Sequence, residues 1–335
     1  MISGRGRALG LTAALAAVTI LVGARKTMDI KLQPLEIEDA ASLTRVQLVD
    51  QSGLHLLAAS GHHVSILGNL GGPIDSKPAF EVTSGFEQSK WEAQALAVGG
   101  HFSWIYTKAG SAINLLMART TGEAEGTRVH KEPFAVYVEP HYVRGQRSEG
   151  LVTAIRLEDG QARVVLFDRR TAAGAAPSRE AGHGRIAITD AQLLRDSSGF
   201  WLLLLVPAND SATNPQPRKT GTGTRMPGLI EATRLDRTLK VLGSPIRLFG
   251  GLPVYEFDAA LASDQRVVIF ATTAAGMVAA SGVPTHELLF KETPVQPALA
   301  SPALLVEQDS AHMAAISDLG GNRAAVVYGA TRLNR

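Results

Sequence analysis

No cysteine occurs among the 335 residues of the chain. This absence excludes disulfides, thiolate metal sites, cysteine nucleophiles and a lipidated N-terminal cysteine. The chain also lacks an excess of charge of either sign, because 33 basic residues are balanced by 31 acidic residues, for a formal net charge of +2. Nucleic-acid binding depends on a strong positive field. We therefore expect no nucleic-acid partner.

The short motifs of common enzyme classes are absent as well. The sequence contains neither a Gly-x-Ser-x-Gly elbow nor a His-Glu-x-x-His zinc motif. The stretch GTGTRMPG, residues 221–228, lacks the Lys-Ser or Lys-Thr pair of a phosphate-binding loop. No catalytic residue is therefore assigned from a motif.

The N-terminal segment has the pattern of an export signal. An uncharged run over residues 8–24 follows Arg5 and Arg7, which is the arrangement of a secretory signal peptide. Val22-Gly23-Ala24 fits a small-residue cleavage site, whereas Arg25 and Lys26 directly after it suit an uncleaved membrane anchor, so both alternatives stay open. We expect an exported protein, periplasmic or secreted, that contacts the membrane only through this run.

Beyond the leader, short apolar runs with period-two alternation dominate the chain, which is typical of β-strands. One such run, HFSWIYTK, has counterparts at intervals of about 45 residues. These second strands of each unit start at His62, His101, Leu151, Phe200, Val267 and His312. Further apolar runs flank each of them. We therefore expect four antiparallel strands per unit, as in a blade of a β-propeller.

The predicted fold is all-β, a six-bladed β-propeller, with seven blades or paired β-sandwiches as the alternatives. Residues 1–28 are predicted as a signal peptide or N-terminal membrane anchor. Residues 29–335 are predicted as a single propeller domain, in which residues 29–40 supply an outer strand that closes the ring. The longest interval between units contains the Gly- and Pro-rich residues 209–228, which we interpret as a loop insertion.

The blade rhythm over about residues 45–333 resembles the sialidase-like, BNR-repeat propellers of exported bacterial proteins. That family carries an Asp box, Ser-x-Asp-x-Gly-x-Thr-Trp, at the turn between the third and fourth strands of a blade. The matching turns here, ARTTGEAEGT and FDRRTAAGAA, contain Arg119 with Gly122 and Arg169 with Gly174 but lack the Asp, Thr and Trp of the box. The resemblance implies a propeller fold, and no catalytic residue of the family is carried over to this chain.

Acidic residues stand just before the first strand of successive units, namely Asp50, Glu92, Glu139, Asp190 and Asp258. First strands line the central channel of a propeller, so these carboxylates are expected to converge at its mouth. There they repel one another unless a cation or hydrogen-bond donors compensate. Ca²⁺ or another divalent cation accepts such oxygen ligands, with Glu92, Glu139, Asp190 and Asp258 as the candidates. Alternatively, each acid accepts hydrogen bonds from amides of its own or the adjacent blade.

Two further residues are predicted to face the same mouth. Trp91 stands next to Glu92 and is a candidate stacking platform for a ligand. Arg225 belongs to the insertion, whose basic residues are expected on the acidic face, where long loops on a rigid scaffold often bind ligands. The candidate ligand-binding residues are therefore Glu92, Glu139, Asp190, Asp258, Trp91 and Arg225.

These observations favour two functions. The first is a non-enzymatic binding or scaffold module for an unknown protein or saccharide ligand, because no catalytic constellation is evident in the sequence. The second is a cation-dependent hydrolase or lyase, glycosidase-like or lactonase-like, that acts at the channel mouth. Such an enzyme needs carboxylates on the cation and one left as acid or base, whereas a scaffold tolerates their replacement by neutral hydrogen-bonding residues.

Overall fold

The computed structural model describes the β-strands named below and, together with their side chains, residues 135–145, 150–168, 179–208, 226–261, 265–273 and 278–284. Strands make up nearly all of the described chain, apart from turns and a short 3-10 segment, Phe249–Gly251. No helix within these described parts has the length and hydropathy needed to cross a membrane.

An N-terminal strand pair and two four-stranded sheets make up the first part of the fold. The pair is β1 (Ala14–Val22) and β2 (Met28–Glu36). The first sheet consists of β3 (Arg45–Asp50), β4 (Leu54–Ser60), β5 (His63–Asn69) and β6 (Phe80–Thr83). The second consists of β7 (Gln94–Val98), β8 (His101–Lys108), β9 (Ala112–Arg119) and β10 (Ala124–Lys131). Each strand pairs with the next along the chain, as the repeat predicts.

The third sheet contributes one side of the candidate site. Between its first and second strands the chain forms a two-residue strand that does not belong to this sheet. In chain order these strands are β11 (Val136–Tyr142), β12 (Arg144–Gly145), β13 (Leu151–Glu158), β14 (Gln161–Asp168) and β15 (Arg179–Arg185). The sheet order is β11-β13-β14-β15, and β12 pairs instead with the following sheet.

The next two units are joined into one nine-stranded sheet. The first unit contains β16 (Asp190–Arg195), β17 (Phe200–Pro207), β20 (Gly228–Leu235) and β21 (Ile246–Arg247), with the hairpin β18 (Arg218–Thr220) and β19 (Gly223–Arg225) between β17 and β20. The second contains β22 (Val254–Leu261), β23 (Val267–Thr273), β24 (Gly276–Gly282) and β25 (Thr293–Val295). The predicted insertion thus includes a short β-hairpin.

The last strands return to the N-terminal pair. They are β26 (Val306–Glu307), β27 (Ser317–Gly320) and β28 (Arg323–Arg332). The sheet order is β2-β1-β28-β26, with β27 also on β28, so β2 forms the outer edge. β1 falls within the segment predicted as the leader, and export stays a prediction.

The first strands of successive sheets contact one another in chain order. β3 contacts β7, β7 contacts β11, β11 contacts β16, and β16 contacts β22, while β27 contacts both β22 and β3. Sheets that meet through their first strands around an axis form a β-propeller, and the predicted all-β propeller fold is confirmed. The number of six blades stays a prediction, because β20 and β22 merge two expected units into one sheet.

The strand β17 explains why these sheets must stack. All but the last of its residues, in the run FWLLLLVP, are buried. Trp201, Leu203 and Leu205 pack toward the following unit, and the alternate residues Phe200 and Leu202 pack toward the preceding one. A strand covered on both faces has no polar face, and burying each large apolar side chain contributes about 1.5–3 kcal/mol.

Candidate functional site

A β-bulge in β11 shapes one side of the candidate site. Val138 pairs with Ile155 and His141 with Thr153, so two residues of β11, Glu139 and Pro140, face a single residue of β13. Glu139 has a φ of 46°, a left-handed conformation that is uncommon outside glycine. Proline fits a bulge because it has no amide hydrogen to donate to the ladder. Bulges re-aim side chains and are over-represented next to active sites.

The bulge brings Glu139 and His141 beside Asp190, the first residue of β16. A carboxylate oxygen of each acid and a ring nitrogen of His141 all lie within 4.8 Å of one another. His141 Nε2 is 2.9 Å from Asp190 Oδ1, and the same oxygen accepts the backbone N–H of Ala191 at 2.7 Å. His141 and Asp190 are buried, and Glu139 is half-buried. Three potential metal ligands therefore converge from two adjacent inner strands.

One buried atom of this cluster has no hydrogen bond. His141 is 7% exposed, and its Nδ1 is buried without a hydrogen-bond partner. Buried polar atoms are nearly always paired, and an unpaired one costs about 1–3 kcal/mol. The cluster as it stands among the described residues is therefore incomplete in its hydrogen bonding.

The third acid, Asp258, forms an ion pair with Arg144 where β12 contacts β22. We call this place the Asp258 junction, and the place where β11 contacts β16 the Asp190 junction. Arg144 Nη1 donates to Asp258 Oδ1 at 2.8 Å and to the carbonyl of Ala259 at 2.9 Å. Asp258 Oδ1 also accepts the N–H of Ala259 at 2.9 Å. Arg144 reaches this position because β12 runs parallel to β16, and that contact requires glycine at 145, where an added Cβ would lie 2.1 Å from the Arg195 carbonyl oxygen.

Gln192 holds the backbone on either side of Asp258. Its Nε2 donates to the carbonyl of Phe257, and its Oε1 accepts the N–H of Ala259, both at 3.1 Å. The side-chain amide of Gln192 thus links β16 to β22 with the same pair of hydrogen bonds that a neighbouring strand would form. All three residues are buried, so Gln192 fixes the position from which the Asp258 carboxyl projects.

Burial dominates the electrostatics of Asp258. It raises the pKa of this carboxyl above its ordinary value, while the charge and hydrogen bond of Arg144, the charge of His141 and the Ala259 amide oppose that rise. The net direction is upward. A carboxyl with a raised pKa retains a proton more readily than an exposed one, as acid catalysts do.

The structure brings three of the predicted residues to neighbouring places on the inner strands β11, β16 and β22. Glu139 and Asp190 lie together, and Asp258 occupies the adjacent junction. The prediction that each acid precedes its first strand is wrong for Glu139 and Asp258, which lie inside β11 and β22. It is also wrong for Asp50, which ends β3, because the true second strand, β4, was overlooked and β5 was taken in its place.

The remaining predicted residues lie outside the part described in full. Trp91 and Glu92 fall outside the described residues, and Arg225 is the last residue of β19 but its side chain is not described. His141, Arg144 and Gln192 were missed by the sequence prediction. A signal for two of them exists, since an acid is followed two positions later by Gln or His in Glu92-Ala-Gln94, Glu139-Pro-His141 and Asp190-Ala-Gln192.

Comparison with known proteins finds similar solved structures at low identity only. No family model matches the chain, and no curated protein matches it in sequence. Similar solved structures include the GH43_1 enzyme from Xanthomonas citri complexed with xylose, with 14% identity over 73% of this chain and 89% of that chain and a TM-score of 0.42. AofleA from Arthrobotrys oligospora has 8% identity over 79% and 77%, with a TM-score of 0.49. The Dos1 propeller has 10% identity over 82% and 75%, with a TM-score of 0.42.

The predicted non-enzymatic binding or scaffold function is wrong. Glycoside hydrolases, among them the GH43_1 enzyme and a β-xylosidase, are present among the similar structures. The premise of that prediction also fails, because the bulge in β11 creates a constellation of Glu139, His141 and Asp190 that the sequence does not reveal. The type of propeller, sialidase-like or other, stays a prediction.

Proposed function

We propose that this protein is a cation-dependent hydrolase whose site lies where β11, β16 and β22 meet. The observation that carries the proposal is the convergence of Glu139, His141 and Asp190 within 4.8 Å. Two carboxylates and an imidazole are ligands that divalent cations accept. Half-buried Glu139 marks the side from which a substrate approaches, while the other two ligands are enclosed.

Glu139, His141 and Asp190 would hold the divalent cation, which would supply a nucleophile by lowering the pKa of a bound water. Asp258 is the carboxyl outside the three-residue cluster, and its raised pKa suits it to donate a proton. In the proposed reaction the water adds its hydroxyl to the carbon of the cleaved C–O bond. The leaving oxygen takes the proton of Asp258, which then regains the proton that the water has lost.

Arg144, which donates a hydrogen bond to Asp258, supports the role of Asp258 as a proton donor. Within the described residues, both of its hydrogen bonds come from Nη1, and its side chain is 17% exposed. The guanidinium therefore places a permanent positive charge beside the carboxyl. This charge stabilises the carboxylate that forms when Asp258 gives up its proton.

The substrate class that we propose is an O-glycoside, with a lactone as the competing class. Both contain a C–O bond cleaved by water with the help of acid–base groups. Arg144 favours a lactone if it faces the carbonyl oxygen that becomes negative, whereas paired carboxylates favour a glycoside. This proposal includes a sialidase-like specificity and a saccharide or protein partner. It also includes roles in ligand binding at the same mouth for Trp91, Glu92 and Arg225.

The test is hydrolysis of nitrophenyl glycosides and of simple lactones by the full chain, before and after treatment with a chelator. We expect one substrate class to be cleaved, activity to disappear with the chelator, and a divalent cation to restore it. Glu139→Gln removes a ligand charge with little change in shape and is expected to lower kcat by about a hundredfold or more.

Glu180→Gln is the matched control for this variant. Glu180 is an exposed residue of β15 whose carboxylate pairs with Arg163 at 2.8 Å, so its replacement leaves the site intact. Equal activity of Glu139→Gln and Glu180→Gln would contradict the proposal. Activity that survives the chelator without loss would contradict the requirement for a cation.

A further inference from the structure

The hydrogen bonding of His141 is unsatisfied in each of its protonation states. If Nε2 carries the proton, it donates to Asp190 Oδ1 at 2.9 Å, and Nδ1 is left as a buried lone pair without a donor. If Nδ1 carries the proton, that N–H is buried without an acceptor and the Nε2 lone pair faces a carboxylate oxygen. If both are protonated, the Nδ1 N–H is again unpaired.

A cation resolves this conflict for the form protonated at Nε2. It accepts the lone pair of Nδ1 while Nε2–H remains on Asp190, which then orients the ring, as in the usual carboxylate–histidine–metal arrangement. Alternatively the cation lies between the Nε2 lone pair and the Asp190 oxygen and takes both as ligands, which removes their repulsion but leaves the Nδ1 N–H unpaired. In both cases His141 contributes a nitrogen ligand, which distinguishes this cluster from one built of carboxylates alone.

The dimensions of the cluster allow a small ion with short bonds. Because the three ligand atoms lie within 4.8 Å of one another, a point exists within about 2.8 Å of all of them. Bonds from Zn²⁺ to nitrogen or oxygen are about 2.0–2.2 Å, so shifts below about 1 Å close the site. Ca²⁺ prefers six to eight oxygen ligands at about 2.3–2.6 Å, whereas one of these three ligands is an imidazole.

We propose that the cluster of Glu139, His141 and Asp190 is a transition-metal site that prefers Zn²⁺ to Ca²⁺ and Mg²⁺, with His141 as the selecting ligand. Imidazole suits zinc, copper, iron and nickel, whereas Ca²⁺, Mg²⁺ and Mn²⁺ favour oxygen ligands. This inference rests on the proposed site and specifies its metal. It narrows the sequence prediction of Ca²⁺ or another divalent cation to a transition metal.

Metal selectivity of the chelator-treated full chain tests the inference. ZnCl₂, MnCl₂, CaCl₂ and MgCl₂ are titrated separately, with the thermal midpoint and calorimetric binding as readouts, since an ion that binds only the folded state raises the midpoint. We expect one Zn²⁺ per chain and binding of Mn²⁺, Ca²⁺ and Mg²⁺ that is weaker by more than about tenfold. Binding of Co²⁺, followed by its visible absorption, gives a ligand signature that does not depend on activity.

The variant His141→Gln replaces the nitrogen ligand with an amide oxygen. We expect Zn²⁺ affinity to fall by more than about tenfold, with Ca²⁺ affinity unchanged or higher. His183→Gln is the matched control, because His183 is an exposed residue of β15. It is expected to keep the wild-type selectivity.

Three results decide between the proposals. Equal or tighter binding of Ca²⁺ than of Zn²⁺ by the wild-type chain overturns the metal assignment, even if His141→Gln does not fold, and leaves the hydrolase proposal standing. Wild-type Zn²⁺ affinity in folded His141→Gln also overturns it. Failure of all four ions to bind overturns both the assignment and the cation requirement, whereas Zn²⁺ binding without hydrolysis overturns only the proposed activity.

Discussion

Asp190 and Asp258 occupy equivalent places on consecutive inner strands but have different partners. Each carboxylate accepts the N–H of the residue that follows it, Ala191 or Ala259. Each also faces a basic side chain from a strand that comes earlier in the chain, β11 or β12. For Asp190 that side chain is His141, and for Asp258 it is Arg144.

The difference between these partners determines what each junction can bind. Arginine is always charged and its guanidinium already occupies the space of a cation, so the Asp258 junction is closed. Histidine exists as a neutral base near physiological pH and is the commonest metal ligand. A metal ion can therefore take the place of a fixed cation at the Asp190 junction, and one repeated backbone arrangement holds the proposed proton donor beside an arginine in one place and a candidate ligand site in the other.

The largest expected effect comes from breaking the closed junction. Asp258→Ala leaves the charge of Arg144 without its partner in a largely buried site, which typically costs about 3–5 kcal/mol in the free energy of unfolding. Asp190→Ala is expected to cost less, because histidine, unlike arginine, has a neutral form and so leaves no permanent charge unpaired. Urea unfolding of the two variants, followed by fluorescence, measures the difference.

A double variant gives the control for this comparison. Arg144→Met combined with Asp258→Leu removes both charges and is expected to recover much of the stability lost in Asp258→Ala. Equal losses in Asp190→Ala and Asp258→Ala would show that the two junctions do not differ as proposed.

The second prediction converts the Asp190 junction into a closed one. His141→Arg places a permanent cation opposite Asp190, as Arg144 is placed opposite Asp258. We expect the rise in thermal midpoint caused by Zn²⁺ to be abolished, because a fixed positive charge and a metal ion exclude each other. An undiminished Zn²⁺-dependent rise, measured by scanning calorimetry, would contradict the comparison. His183→Arg, at an exposed position of β15, controls for the added charge.

Much of this fold could be predicted from the sequence because it repeats. Four of the predicted second strands start at the residues where strands of the structure begin. These residues are His101, Leu151, Phe200 and Val267, the first residues of β8, β13, β17 and β23. Their period-two and continuous apolar patterns follow directly from burial on one or both faces. The first unit was misassigned because β4 and β5 are both apolar and equal in length.

The candidate site was predicted only in part, because it depends on local departures from the repeat. Pro140 made β11 look as if it began later, since proline inside a strand argues against a strand, and the bulge that places His141 beside Asp190 has no signal in a single sequence. Arg144 likewise reaches Asp258 across 114 positions of the chain, through a two-residue strand too short to detect.

A smaller effect is expected from the amide that positions Asp258. Gln192→Ala removes the partners of the Phe257 carbonyl and, in part, of the Ala259 N–H, and an unpaired buried group costs about 1–3 kcal/mol. Gln192→Glu keeps the acceptor for Ala259 but loses the donor to Phe257. It is therefore expected to lose stability as well, with an added charge next to Asp258. Urea unfolding that shows no loss in either variant would contradict the proposed role of Gln192.

The smallest effect concerns Asp196, a carboxylate at the far end of β16 from Asp190. Burial raises the pKa of Asp196, but hydrogen bonds from Arg234, Ser198 and Gly199 outweigh burial and lower it from 3.8 to about 2. A carboxyl with a lowered native pKa contributes stability that is present above pH 3.8 and is lost as the pH falls toward 2. Asp196→Asn removes this titrating group, so its free energy of unfolding is expected to fall less steeply than that of the wild type over that window. Urea unfolding at pH 5, 4, 3 and 2.5 measures the two slopes, and parallel slopes would mean that Asp196 is not the group responsible. The pKa of Asp258 shifts in the opposite direction, so protonation of Asp258 cannot produce the same loss of stability toward acid. The pH profile therefore separates the contributions of the two carboxyls.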